Sequence, residues 1–339
     1  MQPESVRTGV SYFGNRNPRH LVVDLEEMIS HNCSFIVHTF SENDRIFYFA
    51  TMAEFVELSK SVGLEVYLDP WGVGRVFGGE AFSDFALKRR HACQVSGSGE
   101  LLPAACPNHP EFRAYMRGWI DDAASLGVDV VFWDEPHLFI DYQNASDMRA
   151  AGCTCESCRE KYRELYGDSF PSVESEDFLL FREDSMYDFL KMLTDYSAEK
   201  KLRNAVCLLP YQQDMLGVSD WGRIAAIETL DIIGTDPYWI FFDKELDFVY
   251  DYAQKIVHIA DEFGKEAQLW IQNFKIPEGR EQEVAEAIEL GEQAGIKNFA
   301  AWSFYGSSYM SYIRSQNPKL VWDILGREYA RLRSGGHGK

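Results

Sequence analysis

Eight times along the chain, a short apolar run rich in β-branched and aromatic residues alternates with a longer amphipathic stretch. The runs are TGVSYFG (8–14), SFIVHTFS (34–41), LEVYLDPWG (64–72), VDVVFWDEP (128–136), NAVCLLPYQ (204–212), LDIIGTDPYW (230–239), AQLWIQNF (267–274) and KNFAAWSFYG (297–306). Runs of this length between helix-period stretches read as strands, each followed by a helix. Helices stop at glycine just before a strand at Gly63, Gly127, Gly264 and Gly295, as expected for left-handed C-caps. Eight such units in 339 residues predict an α/β fold, a (β/α)8 barrel with inserted loops after strands 3 and 4. The competing open sheet of the nucleotide-binding type lacks its signature, because SYFGNRNPRH offers no glycine-rich phosphate turn after the first strand. One barrel domain is expected over 1–333, with SGGHGK (334–339) as a flexible tail.

Charge and composition narrow the partners. The formal net charge of −20 repels phosphates, which argues against nucleic acid and anionic membranes. No segment approaches the roughly 20 apolar residues of a membrane span. The N-terminus MQPESVRTGV has no basic segment followed by an apolar one, so a cytoplasmic location is expected. A homo-oligomer is compatible with this composition. The seven cysteines are an odd count, which favours thiols or a metal site over a disulfide framework.

In a barrel of this kind, chemistry sits at the C-terminal strand ends and in the loops that follow. Strand 2 ends near His38 and Glu42, strand 3 on Asp69 and Trp71, and strand 4 on Asp134, Glu135 and His137. Strand 5 ends near Tyr211 and Gln212, and strand 6 on Asp236, Tyr238 and Trp239. Strand 7 carries Trp270, Gln272 and Asn273, and strand 8 carries Trp302. Asp-Pro is a common turn opener and tryptophan is common in cores, so each signal is weak alone. Together, acids, amides and aromatic rings on one rim describe a cleft for a small carbohydrate, with proton transfer by the acids and stacking by the rings. No organic cofactor is implied.

The tightest spacing in the chain is C-x-C-x-x-C in GCTCESCREKYRELYG, at Cys153, Cys155 and Cys158. Structural zinc usually takes four ligands. Cys106, in ACPNHPEF, supplies a fourth thiol, with His109 and Cys93 as rivals. Such a site would pin both inserted loops beside the rim.

The segments CPNHPEF, VFWDEP and CTCESCREKYRELYG stand in the order found in the barrel of the glycoside hydrolase family 42 β-galactosidases, and residues 104–167 resemble that family. The resemblance implies a β-galactosidase-type glycosidase barrel and zinc on Cys106, Cys153, Cys155 and Cys158. It also implies an acid/base role for Glu135, and places Asp236 near the family's strand-6 Asp-x-Tyr. The chain departs from the family where Asp134 replaces an Asn, and where the strand-7 end LWIQNFK offers no nucleophilic carboxylate. Glu278, in IPEGREQEV, reads as the first turn of a helix.

Glycoside hydrolysis normally uses two carboxyl groups, so Glu135 must find a partner in Asp236, Asp69 or Asp134. The catalytic candidates are therefore Glu135, Asp134 and Asp236. An Asp-Glu pair at this strand end also suits a substrate-assisted N-acetylhexosaminidase-like enzyme, and a non-catalytic sugar-binding barrel is the alternative from another class.

Overall fold

The computed structural model describes residues 6–140, 149–167, 169–210 and 213–335. Eight parallel strands form a closed ring: β1 (Arg7–Tyr12), β2 (Phe35–Thr39), β3 (Glu65–Asp69), β4 (Val130–Asp134), β5 (Arg203–Leu208), β6 (Ile232–Thr235), β7 (Glu266–Gln272) and β8 (Asn298–Trp302). Each pairs with its neighbour in sequence, and β1 pairs with β8 to seal the ring. Helices follow the strands and cover the outside, so the chain is a (β/α)8 barrel. The expected helix after β5 is broken into two short pieces, Gln213–Leu216 and Trp221–Ala225. Among the described residues, no helix is long and apolar enough to cross a membrane.

Side chains alternate across a strand, and this alternation sorts the barrel interior into layers. In β4, Val131 and Trp133 face the outer core under the helices, while Val130 and Phe132 fill the interior. The same parity continues to Asp134. It also carries β3 through Tyr67 to Asp69, and β5 through Ala205 to Cys207. The interior is therefore apolar at mid-height and acidic at the C-terminal end. Gly9 on β1 makes room at mid-height, since a Cβ there would lie 2.3 Å from the Phe35 ring.

The N-terminal end is closed by ion pairs. Arg7 bonds Glu65, Glu266 (2.8 Å) and the Tyr67 hydroxyl, and Arg203 reaches the same two glutamates at 3.2 and 3.3 Å. Replacing Arg7 with Met would leave two partly buried carboxylates with Arg203 as their one remaining cation here, Glu266 also keeping its hydrogen bond from Asn298. The expected loss is about 2–4 kcal/mol, read as a lower urea midpoint at unchanged slope.

Both insertions lie where the sequence placed them. The loop after β3 carries a hairpin of Cys93–Val95 and Leu101–Ala105, and the loop after β4 carries the helix Glu156–Tyr166. The two are sewn together: Thr154 N donates to Val95 O at 2.8 Å, and Ser96 bridges Gly152.

Two sequence readings change. Several strands end earlier than the apolar runs do, because the runs continue into loop residues such as Phe13, Trp71 and Tyr238 that pack above the barrel mouth. Glu278 is not in a helix. It is exposed in a turn containing the left-handed Gly279 (φ 86°), and the helix begins at Glu283. The helix stops agree with the reading, with Gly127, Gly264 and Gly295 as left-handed caps and Gly63 just past the cap residue Val62.

Candidate active site

Asp69, Asp134, Glu135 and Asp236 converge at the C-terminal mouth of the barrel. Strand parity delivers the first two, and register sets Asp134 beside Cys207. Glu135 adopts a left-handed backbone (φ 40°) and donates its N–H to Cys207 O at 3.0 Å. This turn brings two consecutive carboxylates to one cavity. His137 fixes it: burial pushes the imidazole down, and Nδ1 donates to the Glu135 carbonyl at 2.5 Å.

The mouth is electrostatically tense. Asp69 is fully buried, and neither of its carboxyl oxygens has a partner among the described residues. Burial raises its carboxyl well above the ordinary range, and the Glu135 and Glu80 charges raise it further. Asp134 is raised by burial and by Asp69, Glu135 and Glu80. Asp236 is raised by burial and by Glu135, as both charge and hydrogen-bond partner. Such groups keep protons at pH values where free carboxyls have lost them. The sign for stability follows. A carboxyl raised on folding favours the fold below its unfolded value of about 3.9, and that contribution is lost as pH rises through the folded value. Asp69→Asn removes the loss. It is expected to raise the melting temperature at pH 7, with the gain fading below about pH 4, as followed by thermal melts across pH.

The cavity above these acids holds about 490 Å³. Glu80, Asp134 and Glu135 line it, with Tyr238, Phe241, Phe274, Trp302 and Tyr312 as aromatic walls and Lys275 as a cation. Phe241 and Tyr312 are exposed at its lip. A second cavity of about 550 Å³ lies by the β1 end, lined by Phe13, Arg19, His20 and Tyr309, among others. Phe13 stacks on Trp302 at 4.6 Å. The acid in this second cavity, Asp24, already accepts a hydrogen bond from Tyr12 at 2.5 Å, so the carboxylate cluster belongs to the first.

Of the residues expected to bind substrate, Tyr238 and Trp302 line the acidic cavity. Asp69 lies buried at the mouth, close enough to feel the Glu135 and Glu80 charges, and Asn273 is buried with Nδ2 donating to Ser303 O at 2.9 Å. Trp71 packs on Phe13 and lines a neighbouring groove. The others have structural partners. Trp239 is fully buried and donates to Glu283 at 2.7 Å. Trp270 packs on Phe132 inside the barrel and donates to Gln268 at 2.9 Å. Gln272 accepts from Ile240 N and Phe241 N and donates to Phe274 O, which pins the loop after β6. His38 bonds Ser59 at 2.9 Å and burial pushes it down to about 3; Glu42 holds the β3 insertion through Gly74 N and Ser83. Tyr211 and Gln212 lie outside the described residues. Glu80, Lys275 and Tyr312 are not among the residues expected, because they sit on loops without a distinctive motif.

The sulfurs of Cys106, Cys153, Cys155 and Cys158 lie within 4.8 Å of one another, all in the buried seam between the insertions. Cys106 is 3.5 Å from both Cys155 and Cys158. Four thiolates around a tetrahedral zinc at about 2.3 Å would stand about 3.8 Å apart, so the set fits that ion. Asn108 donates to Cys158 at 3.4 Å from just outside the set. The rivals are engaged elsewhere: Cys93 bonds the carbonyls of Ala86 and Arg89, and His109 caps a helix through Glu111 N.

No protein-family model and no curated protein sequence matches the chain. Solved structures do. The chain is similar to the catalytic domain of a β-amylase from Paenibacillus polymyxa, at 11% identity and TM-score 0.66, over 95% of this chain and 98% of that one. It is similar to an endo-1,4-β-mannanase from Rhizomucor miehei, at 9% identity and TM-score 0.67, over 98% and 97%. It is also similar to a D-allulose 3-epimerase from Methylomonas sp., at 9% identity and TM-score 0.52, over 98% of each chain. At these identities the likeness establishes the barrel, and glycoside hydrolases are among its neighbours.

Proposed function

We propose that the protein is a glycoside hydrolase acting on a small oligosaccharide or glycoside, with its acid/base chemistry in the acidic cavity at the Asp134–Glu135 end of β4. The observation that carries this reading is the convergence of both carboxylates with Tyr238 and Trp302 on one cavity of about 490 Å³. A sugar ring needs such rings to stack on, and its glycosidic oxygen needs a proton donor within reach. Asp69 and Asp236, raised by burial and by the Glu135 charge, hold protons beneath the pair. Asp236 faces the Glu135 carboxyl as its hydrogen-bond partner. The names of two structural neighbours, a β-amylase and a mannanase, support the class.

The resemblance to family 42 supports the Glu135 position and the cysteine set, not that family's double displacement, because β7 ends on Gln272. The four cysteines are proposed to hold a structural zinc, which would clamp the two insertions against each other. Turnover tests the hydrolase reading. At least one glycoside in a broad aryl-glycoside panel is expected to be cleaved; a panel left intact by protein that still binds sugars would point to a non-catalytic barrel instead.

A further inference from the structure

β7 ends on Gln272 and offers Glu135 no carboxylate partner. The loop after β3 runs through Gly78 and Gly79 directly over the acid pair. Gly78 N donates to Asp134 O at 2.9 Å. A Cβ on Gly78 would stand 2.5 Å from Asp134 Oδ2 and 2.9 Å from Glu135 Oε2, closer than real side-chain contacts allow. Gly79 is left-handed (φ 101°), and a Cβ there would meet the Trp71 ring at 1.6 Å. Two consecutive glycines thus let the backbone lie on the carboxylates and under the indole. The next residue is Glu80, which lines the same cavity as Asp134 and Glu135.

We propose that Glu80 is the proton donor to the leaving-group oxygen, the second catalytic carboxyl that β7 does not supply. This assignment rests on the hydrolase reading. Three features favour it. Glu80 is exposed, so a substrate can reach it, whereas Asp69 and Asp236 are sealed below. Partial burial against the cavity wall pushes its carboxyl up, as does the Glu135 charge, while a backbone hydrogen bond, Trp71 and Lys275 pull it down. It sits on a loop held to β4 by the Gly78 hydrogen bond to Asp134 and closed on itself by the Gly72 N–H to the Gly78 carbonyl at 2.6 Å.

The step balances without further reagents. The bond from the anomeric carbon to the glycosidic oxygen breaks, its electron pair stays on that oxygen, and the Glu80 proton neutralises it. Water adds to the anomeric carbon and gives its proton to the Glu135 carboxylate. One glycoside and one water become a sugar and an alcohol, and solvent returns the proton from Glu135 to Glu80.

Leaving-group dependence tests the role, because a donor matters only where the leaving oxygen needs a proton. In Glu80→Gln, kcat/KM for alkyl glycosides is expected to fall roughly 10²–10³-fold, while 2,4-dinitrophenyl glycosides lose less than about tenfold. The alkaline limb of the wild-type pH profile should disappear in the variant. Wild-type rates on both substrates would overturn the assignment. So would equal losses on both, which indicate positioning rather than proton donation. A wild-type protein that cleaves neither substrate would overturn the hydrolase reading itself, and is thereby told apart from a failure of Glu80 alone.

Discussion

Glu135→Gln is expected to lower glycoside turnover by roughly 10²–10⁴-fold, the usual range for an acid or base in the transition state. The substitution keeps size and shape but removes the charge that couples the mouth of the barrel. That charge is among the causes raising Asp69, Glu80, Asp134 and Asp236. Its loss should relieve repulsion, so the melting temperature stays level or rises while activity collapses. Stability exchanged for function in this way is common at active sites. Initial rates and calorimetry on the same preparation separate a catalytic loss from misfolding.

Cys106→Ser is expected to leave less than about half an equivalent of zinc in the purified protein, because three thiolates rarely hold a structural ion. Zinc on four thiolates contributes on the order of 10 kcal/mol to the fold that depends on it. With zinc proposed on these four cysteines, the parts expected to depend on it are the hairpin Cys93–Ala105 and the helix Glu156–Tyr166, rather than the barrel strands. The melting temperature should fall by about 5–15 °C, and trypsin should cut within the insertions first. Activity should fall as well, since Gly78 to Glu80 and the Glu135 turn belong to those same loops. Cys93→Ser serves as the control: its sulfur bonds backbone carbonyls outside the set, so zinc content should be unchanged.

Strand parity made much of the site legible. A period of two carries Val130 and Phe132 into the barrel and then Asp134, and the same rule raises Asp69. Cysteine spacing made the cluster legible, because C-x-C-x-x-C beside a fourth thiol has few other uses. Two kinds of residue escaped. Trp239, Trp270 and Gln272 stand on the rim in sequence, but their polar atoms are engaged by Glu283, Gln268 and the backbone of the β6 loop. Side-chain partners from other elements do not show in a one-dimensional pattern. Glu80 escaped for the opposite reason. It is an ordinary loop acid until the fold lays Gly78 across the Asp134–Glu135 pair, and the two glycines before it mean nothing without that contact.

The most direct measurement is a crystal structure of the Glu135→Gln protein soaked with a glycoside that the wild type cleaves. The scissile oxygen is expected between residue 135 and the Glu80 carboxyl, within hydrogen-bond reach of about 3.2 Å from the donor. The sugar ring should lie against Tyr238 or Trp302 in the acidic cavity. A glycoside seated instead in the cavity of Phe13, His20 and Tyr309, with neither carboxyl within reach, would contradict the assignment of the chemistry to the β4 end.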